Sequence, residues 1–110
     1  MFAAMHKFNS DGVAIAYETA GEGPPVLLIH GFASTGRVNW WDTSWVKTLT
    51  GAGRRVITFD HRGHGASEKL YDPRLYPAAE MAEDARRLLD HLVIGQADVM
   101  GYSMGARVAA

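Results

Sequence analysis

The sequence predicts an α/β domain, a mostly parallel sheet with flanking helices. Three observations carry that prediction. Short apolar runs alternate along the chain with stretches of helical periodicity, the pattern of strands joined by crossover helices. Two of the runs, Val26-Leu27-Leu28-Ile29 and Val56-Ile57-Thr58-Phe59, lack the in–out alternation of a half-solvated strand, as expected of strands covered on both faces. Three strands end in glycine-rich polar clusters, at the carboxyl ends where such sheets gather their chemistry.

The elements follow in order. Val13, Ile15 and Tyr17 alternate with smaller or polar neighbours and read as a half-buried strand entered through an Asp11-Gly12 turn, with His6 ahead of it. A loop from Gly21 to Pro25 leads into the Val26–Ile29 strand. Residues Asn39 to Leu49 predict a helix that sets Trp41, Trp45 and Leu49 at i, i+4 and i+8, with Gly51 or Gly53 as terminator. On that helix Trp41 and Trp45 suit packing on the sheet, and Trp40 stays open between core and pocket wall. After the Val56–Phe59 strand, a helix is expected from Pro77 to about Val93. Its apolar stripe is Met81, Ala85, Leu88, Leu89 and Leu92, with Glu80, Glu83, Asp84, Arg86, Arg87 and Asp90 mostly on other faces. A last strand, Asp98 to Tyr102, runs into Ser103, and a helix begins at Gly105.

Composition narrows the function. The 110 residues suit one domain with a core of its own, 47% of them hydrophobic. Eleven basic and 12 acidic residues give a net charge of -1 and no electrostatic footprint for nucleic acid. The absence of cysteine excludes disulfide and thiolate chemistry. The start, Met1 to Lys7, shows no signal-peptide apolar region, and no apolar run reaches membrane-spanning length. The expectation is a cytoplasmic protein without nucleic-acid or membrane partners.

The chemistry concentrates in three segments. Gly101-Tyr102-Ser103-Met104-Gly105 is a G-x-S-x-G pattern, a sharp strand-to-helix turn that holds a serine at the bend. Glycines are expected on either side because strand and helix approach too closely for a Cβ. His30-Gly31-Phe32 ends one strand, and Asp60-His61-Arg62-Gly63-His64-Gly65-Ala66-Ser67 succeeds another. The second of these mixes a carboxylate, two histidines and an arginine. The three segments together resemble those of α/β-hydrolases, and that resemblance implies a structural role here, with Asp60 and Arg62 tying down the turn and Ser67 capping the next segment of chain. His61 and His64 lack a second ligand cluster at metal-site spacing, so no metal is expected. His30 reads as a satisfied strand-end histidine, and neither His6 nor His91 has a catalytic context.

In order and spacing, these three segments make the chain resemble the N-terminal part of an α/β-hydrolase, over about Val13 to Ala110. The resemblance implies one α/β-hydrolase domain portion, residues 1–110, that ends just after the nucleophile elbow. It implies Ser103 as nucleophile, with the backbone N–H groups of Phe32 and Met104 as oxyanion hole, acting on a small-molecule ester or acyl compound without a metal or organic cofactor. Such a serine needs a base and an acid, which in this family come after it along the chain. Met104 to Ala110 contain neither a histidine nor an acidic residue. The triad acid and histidine are therefore expected beyond residue 110, in a longer enzyme or on a complementary chain. Two alternatives remain beside the esterase reading. G-Y-S-M-G-A-R also resembles the elbow of the menaquinone-pathway lyase of this superfamily, and perhydrolase-type members carry Ser-Met there too. The second alternative is a non-catalytic α/β binding module.

Overall fold

A computed structural model of the chain describes residues 5–31, 34–69, 78–102, 105 and 108. Its strands are β1 (His6–Ser10), β2 (Val13–Ala20), β3 (Pro25–Ile29), β4 (Arg55–Phe59) and β5 (Asp98–Gly101). They form one sheet in the order β1-β2-β4-β3-β5. β3 runs parallel to both β4 and β5, whereas β2 is antiparallel to β1 and to β4. The parallel half is the one the unalternating apolar runs predict.

The antiparallel half holds a strand that the sequence pattern does not predict. His6 lies in β1 rather than ahead of the sheet. Asp11 and Gly12 both have positive φ, 50° and 93°, which matches the twist of a two-residue hairpin and folds β1 back on β2. Phe8 and Ser10 point inward while Lys7 and Asn9 face solvent, so the strand alternates although one of its inward residues is polar.

The single helix expected from Asn39 to Leu49 is two pieces. Arg37–Trp41 is a π-helical turn, closed by the Asp42 N–H on the Arg37 carbonyl at 2.8 Å. Ser44, at φ 71°, then breaks the chain before helix α1 (Trp45–Gly51). A wider turn changes the angle between successive residues, so the i, i+4, i+8 stripe does not stay on one face. Trp40 is the tryptophan that packs on the sheet, at 4% exposure, and Trp45 is 45% exposed. Trp41 lies between them in burial, donates its indole N–H to Thr58 Oγ1 at 2.9 Å and stacks under Arg37.

Helix α2 (Ala78–His91) covers one face of the sheet. Met81, Ala85 and Leu88 pack there with Phe8, Ile15, Leu27, Ile29, Ile57 and Phe59, and Val108 joins the same cluster. The opposite face buries Ala20, Val26, Leu28 and Val56 under Trp40 and Val46. Alternate residues of β3 and β4 thus feed two cores, the reason both strands read as unbroken apolar runs. From β3 the chain crosses to β4 over the α1 face, then returns past β3 to β5 over the α2 face. Crossovers to opposite faces open a crevice at the carboxyl end of the strand between them. That strand is β3, and its carboxyl end is His30-Gly31.

Candidate active site

Ser103, Met104 and Phe32 lie outside the described residues, and so does the expected helix start at Pro77. Gly31, Tyr102 and Gly105, next to those positions, are described, and they converge on the end of β3. The Tyr102 N–H donates to the Ile29 carbonyl at 3.1 Å, and the Gly105 N–H turns back to the Tyr102 carbonyl at 2.8 Å. A Cβ on Gly105 would stand 2.1 Å from the Ile29 carbonyl oxygen and 2.7 Å from that of His30. No side chain fits at that distance, so the second glycine of the G-x-S-x-G pattern has the steric reason predicted for it.

His30 is fully buried, and its ring is committed on both sides. Its Nε2 accepts the His61 backbone N–H at 2.9 Å, so the proton must sit on Nδ1, which donates to the Gly31 carbonyl at 2.7 Å. His61 reciprocates through its side chain, with Nε2 donating to the His30 carbonyl at 3.2 Å. Burial pushes the pKa of both rings down; His61 falls to about 3, with repulsion from His30 adding to the desolvation. Both are neutral at neutral pH. His30 holds its only lone pair against a backbone N–H, so it is not a base, as the sequence leads one to expect.

Asp60 is occupied as well. Its Oδ1 accepts the Gly36 N–H at 2.9 Å and its Oδ2 the Ala66 N–H at 3.0 Å. Gly65 has φ 49°, and a Cβ there would lie 2.3 Å from Asp60 Oδ2, so the loop closes tightly around the carboxylate. Among the described residues Ser67 holds β2 and its own loop, and the segment it is expected to cap lies largely outside them. Its hydroxyl donates to the Asp60 carbonyl at 2.6 Å and accepts the Ala16 N–H at 2.8 Å, fastening the loop to β2. The loop is structural, as expected.

Arg62 reaches α2. Its Nε and Nη2 form a two-point pair with Asp84 Oδ2 and Oδ1 at 2.7 and 2.8 Å, and Ser10 Oγ donates to Asp84 Oδ1 at 2.5 Å. Asp84, grouped by its charge with the residues expected mostly on faces other than the apolar stripe, is fully buried. Its position should have signalled this, because 84 lies i+3 from Met81 and i-4 from Leu88, inside the apolar stripe. Sequence reasoning also missed Asn39, whose Oδ1 accepts the Gly31 N–H at 2.7 Å. No sequence signal marks that contact, since it depends on the π-helical turn. Among the described residues no group of three or more histidine, aspartate or glutamate side chains is placed to hold a metal ion. No helix among them is long and apolar enough to cross a membrane.

Beside Tyr102, the residue before Ser103, lies a cleft of about 270 Å³ lined by Asn39, Trp40, Thr43, Trp45 and Tyr102. Trp40 and Trp45 meet edge to face across it, with ring centroids 6.1 Å apart. The aromatic cluster thus forms a core contact through Trp40 and a cleft wall through Trp45.

A strand-end loop, a turn locked on a carboxylate and a glycine pressed against the end of β3 gather at one end of an α/β sheet. The model of the α/β-hydrolase fold matches residues 24–110, and the chain belongs to that family. It is 38% identical over 97 residues to BpoC of Mycobacterium tuberculosis, named as a non-heme bromoperoxidase, covering 88% of this chain and 35% of that protein. It is 38% identical over 91 residues to epoxide hydrolase B of the same species, covering 80% of this chain and 24% of that one. The epoxide hydrolase VrEH1 of Vigna radiata superposes with a TM-score of 0.88 at 27% identity, over 97% of this chain and 34% of that structure. The chain therefore spans about a third of the relatives it matches, or less.

Proposed function

We propose that this chain carries the nucleophile and the oxyanion-binding backbone of a serine hydrolase that acts on carboxylic esters or related acyl compounds. Ser103 attacks the substrate carbonyl to form an acyl-enzyme, and the N–H groups of Phe32 and Met104 bind the oxyanion. The observation that carries this reading is the contact of Gly105 with the carbonyls of Ile29 and His30. It presses the second glycine of the G-x-S-x-G pattern against the carboxyl end of β3, which supports a tight turn there. His30 and His61 are neutral and mutually engaged, so neither serves Ser103. Its base and acid come from outside residues 1–110, further along a longer protein or from a complementary chain. The reaction as proposed uses no metal or organic cofactor, and its partner is a small molecule.

Identity with a protein named as a non-heme bromoperoxidase favours a second reading. On the same acyl-enzyme, hydrogen peroxide replaces water as the second nucleophile and releases a peracid.

Turnover of p-nitrophenyl acetate by the full-length protein tests the first reading. The expected result is hydrolysis that falls to background in Ser103→Ala. Background turnover in the folded wild-type protein would count against the esterase and leave the lyase or a binding module as the better account. Peroxide-dependent peracid release that outpaces ester hydrolysis would favour the second reading.

A further inference from the structure

The π-helical turn Arg37–Trp41 is tied to β2 by an unequal ion pair. Arg37 Nη2 donates to Glu18 Oε2 at 2.8 Å, with the arginine side chain 49% exposed and the glutamate side chain only 4%. The guanidinium also lies 5.2 Å from the centre of the Trp41 ring. Trp41 in turn donates to Thr58, the residue opposite Glu18 across the β2–β4 ladder. Two strands and both ends of the turn thus close one circuit of contacts. Its arginine stays charged at any pH of interest, so the carboxylate is the member whose charge can change.

We propose that Glu18 and Arg37 form an acid-operated latch: ionised Glu18 holds the first residue of the turn on β2, and proton uptake by Glu18 releases Arg37 to solvent and loosens the turn while the sheet stays folded. Burial raises the Glu18 carboxyl above its ordinary value of 4.5, Arg37 opposes that rise by its charge and hydrogen bond, and the Asp60 charge adds to it. Thr58, opposite on β4, is uncharged, and β1 ends with His6 opposite Tyr17, one position short of Glu18. The direction of the shift makes the release local. A group that binds its proton more tightly in the folded chain than in the unfolded one adds stability as the pH falls through that range. Protonation of Glu18 therefore does not drive unfolding, unlike that of His61, whose shift has the opposite sign. It removes the charge that held Arg37, whose half-exposed head is free to hydrate. The turn carries Trp40, which covers the core on the α1 face and lines the cleft, so the state of the latch reaches the cleft wall.

Amide hydrogen exchange in the full-length protein, corrected for the intrinsic effect of pH, tests the latch. The readout is the protection of residues 37–42, which includes the Asp42 N–H that closes the turn, against that of α2. Glu18→Gln copies the protonated side chain. It should lower protection of 37–42 by about 10-fold at pH 7.5, the scale of one lost hydrogen bond to a charged group, with α2 unchanged and the urea midpoint no lower than in the wild type. Wild-type protection of 37–42 should fall toward the Glu18→Gln level at about pH 4.5, where a raised carboxyl is at least half protonated, and Glu18→Gln should hardly respond. Protection in Glu18→Gln that matches the wild type at pH 7.5 overturns the proposal, as does loss from 37–42 and α2 together on acidification. Should Glu18→Gln fail to fold, Arg37→Gln replaces it. That variant leaves Glu18 buried without its cation, so the turn should be weakly protected at both pH values. Protection in Arg37→Gln that still falls with acidification as in the wild type overturns the latch. None of these readouts needs a substrate, so the latch stands or falls apart from the reading of Ser103.

Discussion

The carboxyl ends of β3 and β4 differ sharply from β5, their neighbour in the same parallel half of the sheet. At the first, His30, Asp60 and His61 are all buried, and each holds backbone from another segment. β5 pairs with β3 along one edge, Val99 is 44% exposed, and Tyr102 projects into solvent at 62%. These side chains stand in a densely bonded frame. β5 and the residues after it rest on that frame through the β3 pairing, the Tyr102 N–H and the close approach of Gly105.

The largest expected effect comes from removing the tie between the frame and α2. Asp84→Ala would take from the buried Arg62 its two-point carboxylate, leaving it the longer contact with Glu80 at 3.7 Å, and lower unfolding free energy by about 3 kcal/mol, whereas replacing both residues with apolar ones of similar volume should cost far less. Urea denaturation of the single and double variants reads this directly. A single variant within error of wild type would mean that the ion pair contributes nothing to holding the Asp60 loop.

Gly105→Ala addresses the other side of the comparison. The added methyl meets the backbone of β3, so β5 or the elbow must move, at a cost of about 1–3 kcal/mol. Thermal melting should show the shift, and ester turnover should drop further than stability alone explains. An unchanged melting temperature would show that the elbow does not press on β3.

A smaller effect is expected from pH, and it belongs to the frame alone. His61 has an ordinary value of 6.5 and a folded value of about 3, so between these the unfolded chain binds the extra proton. Stability is therefore fully present above about pH 6.5 and falls with acidification by about 1.4 kcal/mol per pH unit for this one group, down to about pH 3. His30, shifted the same way by burial, steepens the loss. Denaturation midpoints measured from pH 7.5 to 4.5 should decline in the wild type and more gently in His61→Gln. Parallel curves for the two proteins would mean that His61 is not held neutral by the fold.

Much of the frame was legible because it is made by periodicity and steric exclusion. Unalternating runs marked β3 and β4, the apolar stripe marked α2, and the elbow's second glycine announced a backbone contact that Gly105 makes. The features that escaped notice depend on polar contacts between distant segments. Asp84 reads as a surface residue by its charge, and only its place in the stripe betrays the buried pair with Arg62. Ser10 masked β1 by putting a polar residue where a strand's inward face is usually apolar. The π-helical turn at Arg37–Trp41 rotated the tryptophans away from their expected faces and created the Asn39 contact with Gly31. No local pattern encodes such a turn, since its closing bond competes with ordinary helical ones of similar strength.

Mapping a fluorophosphonate adduct by peptide mass spectrometry tests most directly whether Ser103 is the reactive group. The full-length protein should carry one adduct per chain, on the peptide containing Ser103, and Ser103→Ala should carry none. A folded protein that takes up no reagent, or carries it on another residue, would contradict the account.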